Sequence, residues 1–312
     1  MNKKIVIITG ANSGIGKAAT IRFARAGYQV IMACRNMDKS KSIQKEIIEK
    51  NNHFSVDLME LDSSSFESIK EFGSSFHAKY EKLDILIHNA AYFNHGDPYR
   101  SSADQLELTF ATNLFGPYLL TMLLKDYLKR SDDPRVLNAG STIIRNFFNP
   151  GLTIDFRHVF KEERSSNKFS VYNSYRDSKM AFLMLTFKFA DVLGQERIKV
   201  NMLEISGAKM AKETLKKFRF QYRLIAMFQN LYFPTTDKVA ELYYSICTSN
   251  HFNETTGKLF NHNLKIMQSG KENPDPKTQI SQLFGNEVYP RYAHDQATTD
   301  KIWALCKQVT GI

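Results

Sequence analysis

The sequence predicts a single α/β domain, a doubly wound parallel β-sheet with helices on both faces. Two patterns carry this expectation. Short apolar runs rich in Val and Ile recur between longer charged segments of helical spacing. The runs are mostly continuous rather than alternating, as strands covered on both faces are. Right-handed crossovers between such strands then give the doubly wound layout. A chain of 312 residues, 43% of them hydrophobic, can bury a core of that size.

Each element has its own signal. Lys4–Thr9 is a β-branched run bounded by Gly10, and Gly14–Ala26 has helical spacing up to the stop at Gly27. Tyr28–Cys34 is again strand-like, and Asp38–Asn51 is a charged helix with Ile43, Ile47 and Ile48 on one face. Phe54, Val56 and Leu58 alternate before Leu61-Asp62, and Ser63–Tyr80 reads as a helix opened by serines. Leu83–Ile87 and Arg135–Ala139 are short buried strands. A long helix follows at Tyr172–Leu193, a strand at Ile198–Leu203, a helix at Asp237–Thr248 and a strand at Lys258–Asn261. Pro274 and Pro276 mark a turn before a C-terminal extension whose last segment, Asp300–Val309, reads as helix. No repeat or low-complexity linker divides the chain, so residues 1–312 form one domain with a first half to about 140 and a second half from about 141.

Composition narrows the function classes. No apolar run approaches the ~18–20 residues that span a bilayer, and the apolar stretch near the N-terminus is too short for an export signal. The three cysteines, Cys34, Cys247 and Cys306, are too scattered for a disulfide framework or a metal site. A reducing, cytoplasmic setting suits them, and no metal is expected. The 42 Lys and Arg against 32 Asp and Glu leave a net charge of +10, which points to nucleic acid, an anionic membrane or an anionic cofactor.

The glycines decide among these. Thr9-Gly10-Ala11-Asn12-Ser13-Gly14-Ile15-Gly16 follows a strand and opens a helix, the context in which backbone N–H groups and the helix dipole meet a pyrophosphate. The GxxxGxG spacing resembles the short-chain dehydrogenase/reductase family, whose motif is TGxxxGxG, and implies a Rossmann-type sheet. An NAD site wants an acid after the second strand to bond the ribose 2′-hydroxyl. Ala33-Cys34-Arg35-Asn36 stands there instead, and the fork of Arg35 suits a 2′-phosphate, with Lys39 adding charge. NADP(H) is therefore expected over NAD(H). By the resemblance, Asp62 contacts the adenine amino group, and Asn89 and Ala90 line the cofactor.

Tyr175-Arg176-Asp177-Ser178-Lys179 puts a phenol and an ammonium on one helix face, where the ammonium is expected to lower the phenol's pKa. The resemblance makes Tyr175 and Lys179 the family's catalytic pair, with Lys179 also reaching the cofactor ribose. It assigns Ser141, just after Val136–Ala139, to the substrate carbonyl, and Asn113, in Thr112-Asn113-Leu114-Phe115-Gly116, to a water beside the lysine. The tail at Ala297–Ile312 and the Arg35 segment resemble the retinol dehydrogenase and protochlorophyllide reductase branch.

Five departures stand out. His88-Asn89-Ala90-Ala91 replaces the family's Asn-Asn-Ala-Gly, and His88 reads as a packed strand-end residue. Ser206-Gly207 replaces Pro-Gly, and Ala211 stands where a threonine holds the nicotinamide carboxamide. Ala208 replaces the cysteine of the protochlorophyllide enzymes. The stretch from Ser141 to Tyr175 is long for the family and reads as an insertion over the site mouth, or an oligomer contact. A lid at about 207–234 interleaves Phe218, Phe220, Tyr222, Phe228, Tyr232 and Phe233 with Lys216, Lys217, Arg219 and Arg223. This placement favours an apolar substrate pocket over peripheral membrane contact, and both over nucleic acid. The extension covers about 264–312.

The resulting expectation is an NADP(H)-dependent oxidoreductase acting on the carbonyl or alcohol of an apolar small molecule, with Tyr175 as acid and base. A non-catalytic NADP(H) sensor or scaffold and a membrane-associated retinoid or lipid dehydrogenase are the alternatives. A homo-oligomer is compatible with the sequence.

Overall fold

A computed structural model describes residues 3–50, 53–93, 99–160, 169–209, 233–272 and 274–312. Ala211 and most of the aromatic lid fall outside the described residues.

Seven strands, β1 (Ile5–Thr9), β2 (Gln29–Cys34), β3 (Ser55–Glu60), β4 (Ile85–His88), β5 (Arg135–Ala139), β6 (Lys199–Leu203) and β7 (Lys258–Phe260), form one sheet. The order is β3-β2-β1-β4-β5-β6-β7, and every pairing is parallel. The order reverses between β1 and β4, where Ile8 pairs with Ile87. That reversal opens a crevice at the carboxyl ends of the strands.

The strands are apolar on both sides because both sides are covered. One core joins Ile7, Ile31, Leu86, Val136 and Val200 to α3 (Phe66–Lys79), α5 (Gly116–Leu128) and α6 (Val171–Gly194). The other joins Val6, Ile8, Val30, Met32 and Ile87 to α1 (Gly14–Arg25), α2 (Met37–Lys50) and α7 (Thr236–Thr248). Successive residues of one strand thus feed opposite cores, which is the period-two rule applied to a double-sided sheet. α5 is entered through a short turn, α4 (Leu108–Phe110), and a π-turn at Ala111–Phe115.

The C-terminal extension is more structured than its sequence suggests. The prolines read as a turn instead open a helix, α8 (Pro276–Phe284), because Pro276 occupies the first helical position and the Asp275 side chain caps it. A small two-stranded sheet, β8 (Gln268–Ser269) with β9 (Val288–Tyr289), precedes α9 (Gln296–Thr310). α9 begins earlier than expected, since Asp295 accepts the Thr298 N–H at 2.8 Å as its N-cap. It buries Ile302 and Cys306, and Trp303 packs edge-on against Tyr118.

The described part of the Ser141–Tyr175 stretch is fastened to this framework. A 3-10 helix runs from Thr142 to Phe148, and Phe147 stacks on Tyr292 of the extension. Ile154 N–H donates to the Tyr292 hydroxyl, and Asp155 N–H donates to the buried Asp177 carboxylate.

His88 is packed as the sequence suggested, 2% exposed, with Nε2 2.7 Å from the Thr121 hydroxyl. Burial pushes its pKa down to about 3 from an ordinary 6.5, so the folded protein holds it neutral. Below pH ~6.5 the unfolded chain binds a proton that the folded chain refuses, so stability falls as pH drops through that window. The contribution develops toward about 1.4 kcal/mol per pH unit. Urea unfolding of His88→Gln at pH 7 and pH 5 should show a smaller acid loss than the wild type; equal losses contradict the neutral buried imidazole.

Candidate active site

The glycine loop is built by close approach. β1 runs into Gly10, at φ +65°, and Gly14 sits at φ +52°, a region that L side chains rarely adopt. A Cβ on Gly16 would strike the Gly10 carbonyl oxygen and come within 2.7 Å of Asn89 Nδ2. Asn89 ties the loop to β4: its Nδ2 donates to the Thr9 carbonyl at 2.9 Å, and its N–H donates to the Thr9 hydroxyl at 3.0 Å. Ala90 N–H donates to that same hydroxyl at 2.9 Å. Asn12 is held by the Ser40 hydroxyl at 2.8 Å, and Ile15 packs against the α1-side core. Ser13, the N-cap of α1, makes no side-chain capping bond, unlike Ser65, Ser170, Thr235 and Asp295 at other helix starts. The first N–H groups of α1 are therefore available to an anion.

Arg35 follows β2 and is exposed, with Nη1 3.7 Å from Asp62 Oδ2. Asp62 is fixed by the Ser64 N–H and hydroxyl, at 2.9 and 2.6 Å. Lys39 is exposed on α2, one turn beyond, and its N–H donates to Asn36 Oδ1. The two residues expected at the adenosine end thus face each other across the ends of β2 and β3.

Ser141, Tyr175 and Lys179 come together where β5 ends. The Ser141 hydroxyl lies beside the Tyr175 phenol and favours its ionised form, and the Phe93 ring packs edge-on against Tyr175 at 4.9 Å. Lys179, 2% exposed, donates to the Ala139 carbonyl at 3.0 Å, and its Nζ lies 5.8 Å from the Tyr175 ring centroid. This geometry corrects one expectation. Burial raises the Tyr175 pKa, only the neighbouring Ser141 hydroxyl opposes it, and the ammonium, turned to Ala139, does not lower it. Burial instead pushes Lys179 down to about 8.

Asn113 lies in the π-turn, 1% exposed, and its amide is occupied. Its Oδ1 accepts the Tyr92 N–H at 2.8 Å, while Nδ2 donates to the Tyr92 carbonyl at 3.0 Å and to the Ser178 hydroxyl at 3.2 Å. A water at Asn113 would therefore have to use its main chain. π-turns break the regular bonding of a helix and often sit at functional positions.

Sequence reading missed several groups that hold the site. Glu107, buried ahead of α4, binds the Ser174 hydroxyl at 2.7 Å. Arg145 pairs with the buried Glu204 at 2.8 Å and also donates to the Gly285 carbonyl, linking the segment after Ser141 to β6 and the extension. Tyr243, whose hydroxyl donates to Asn89 Oδ1, completes the loop. None has a motif of its own; Glu107 alone carried a cue, an acid at a helix start. Among the departures, Ala91 is exposed, and Gly207, at φ +129°, leaves no room for a Cβ beside the Phe233 ring.

A seven-stranded parallel sheet with a glycine loop at its reversal point belongs to the Rossmann class. Within that class, the family model for short chain dehydrogenase matches residues 4–149. Mouse retinol dehydrogenase 13 is 30% identical over 260 residues, covering 82% of this chain and 75% of that protein. Human retinol dehydrogenase 13 is 34% identical over 206 residues, 66% of this chain but only 59% of that protein's length. A short-chain dehydrogenase of Shigella flexneri, solved in complex with NADP, shares the fold at TM-score 0.64 and 22% identity, covering 84% of this chain and 98% of its own. The chain belongs to the short-chain dehydrogenase family of oxidoreductases, in its retinol dehydrogenase-like branch. Among the described residues no helix is long and apolar enough to cross a membrane.

Lys179 supplies a test of the site's burial. An unfolded lysine titrates near 10.5 and the folded one near 8, so between those values the unfolded chain binds more protons. The ligand-free protein should gain stability from this group as pH rises from 8 to 10.5. Denaturant melts should show that the difference between wild type and Lys179→Met varies over this range; a pH-independent difference contradicts the depressed value.

Proposed function

We propose that the chain is an NADP(H)-dependent oxidoreductase that interconverts the carbonyl and alcohol of an apolar small molecule. The observation that carries this reading is the meeting of Ser141, Tyr175 and the buried Lys179 at the end of the strand next to the switch point. Such a set has no use in a protein that only binds a dinucleotide, which argues against a sensor or scaffold.

The residues present fit the cofactor. The missing Cβ at Gly16 and the uncapped start of α1 suit a pyrophosphate, with Gly10, Asn12, Ser13, Gly14 and Ile15 shaping the loop. Arg35 would hold a 2′-phosphate and Asp62 the adenine, while Asn89 and Ala90 would line the inner wall. The neighbour solved with NADP is consistent with that choice. When bound, the nicotinamide supplies or accepts the hydride.

The chain's own residues handle orientation and the proton. Ser141 donates to the substrate oxygen and holds it against Tyr175. Tyr175 gives its phenolic proton to that oxygen in reduction and takes it back in oxidation. Lys179, with a pKa of about 8, passes a proton at neutral pH more readily than an ordinary lysine and would also reach the ribose. Asn113 fixes the Tyr92 backbone and joins the relay through its main chain. The names of the retinol dehydrogenase relatives make a retinoid the first substrate to try, with long-chain aldehydes and steroid ketones beside it.

Purified protein should oxidise NADPH in the presence of all-trans-retinal or another member of that panel. Tyr175→Phe should lower kcat by about 10²–10⁴-fold, the usual worth of a general acid, with NADPH affinity unchanged. Full turnover in Tyr175→Phe contradicts the assignment, and tight NADPH binding without oxidation on any substrate favours the sensor. Arg35→Ala should weaken NADPH about tenfold, leaving NADH alone, since a charge-assisted phosphate contact is lost. An equal effect on both cofactors removes the basis for NADP(H) preference.

A further inference from the structure

We propose that Glu107 is a positioning residue for Tyr175, acting through the hydroxyl of Ser174; the inference rests on Tyr175 being the proton donor. Glu107 is 1% exposed and Ser174 7%. The Glu107 carboxylate accepts the Thr109 and Phe110 N–H groups, each at 3.0 Å, and the Thr109 hydroxyl at 2.8 Å. Those three bonds cap the start of α4, the short element that leads into the π-turn carrying Asn113. The fourth bond does something else. It crosses to α6 and takes the Ser174 hydroxyl at 2.7 Å, one residue before Tyr175.

The placement matters because α6 begins at Val171, so Tyr175 stands on its opening turns. Helix ends fray, since their first N–H groups lack partners within the helix. The cap at Ser170 is a bond of 3.3 Å to the Asn173 N–H. The Glu107 bond is shorter, is made to a charge, and lies out of water, where such bonds are strongest. Glu107 also donates its own N–H to the Val159 carbonyl at 2.7 Å. Among the described residues it has no cationic partner, so its charge is met by backbone and hydroxyl dipoles alone. The carboxylate thus fixes the Tyr175 turn against the Asn113 turn, and the main chain of the same residue holds the segment that leads back from Ser141. A capping role alone requires none of the bonds that leave the helix.

Ser174→Ala removes the crossing bond and leaves the cap intact. With NADPH and all-trans-retinal, kcat should fall about tenfold, as a loosened catalytic geometry allows, while NADPH affinity stays within about twofold. A second readout needs no substrate. In protein labelled with [13Cζ]tyrosine, the Tyr175 signal, assigned by Tyr175→Phe, should titrate at a lower pH in Ser174→Ala. Burial is the larger influence on this phenol, and opening the turn to water relieves it. Ser174→Thr, which keeps the hydroxyl, should restore both. An unchanged Tyr175 titration and kcat in Ser174→Ala overturn the inference, and if Tyr175→Phe is inactive they overturn it alone. Full activity in Tyr175→Phe overturns instead the assignment of Tyr175 on which it rests.

Discussion

The sheet reverses direction between β1 and β4, and the rest of the molecule depends on how closely those two strand ends are joined. The Thr9 hydroxyl receives the N–H groups of both Asn89 and Ala90, and the Asn89 amide closes back on the Thr9 carbonyl. There is no space between them for a side chain at Gly16. This knot sets the height at which α1 begins, and therefore where its unpaired N–H groups face. It also sets how far β4 and β5 advance before Ser141 leaves the sheet.

Around that crevice the protein buries an unusual set of polar groups and satisfies them locally. The Asn113 amide has both donors and an acceptor engaged, Glu107 accepts four bonds, and Asp177 holds Arg176 and the Asp155 N–H. Buried polar networks of this kind are costly when incomplete and rigid when complete. Here they surround the opening turns of α6, so the stiffness falls where Tyr175 and Lys179 are carried. Lys179 is the exception: a single carbonyl bond does not offset its burial, and its depressed pKa records that imbalance.

Much of this was legible in the residues. Continuous Val- and Ile-rich runs announced a sheet covered on both faces, and the glycine spacing located its switch point. The Tyr175–Lys179 spacing marked one helix face, and order along the chain connected it to Ser141 and Asn113. What escaped was set by contacts distant in sequence. Nothing near Lys179 signals that its ammonium turns to Ala139, a strand away. Nothing near Glu107 shows that its fourth bond goes to Ser174. The α8 helix was obscured because two prolines, usual marks of a turn, also serve as a helix start when an aspartate caps them.

The central claim is that a phosphorylated dinucleotide lies across the knot with its reactive end at Tyr175. A crystal structure of the NADP⁺ complex tests it most directly. The account predicts the pyrophosphate on the Gly10–Gly16 loop, the 2′-phosphate on Arg35, and the nicotinamide beside the Ser141 and Tyr175 hydroxyls. A cofactor whose nicotinamide lies away from Tyr175, or whose 2′-phosphate avoids Arg35, would contradict it.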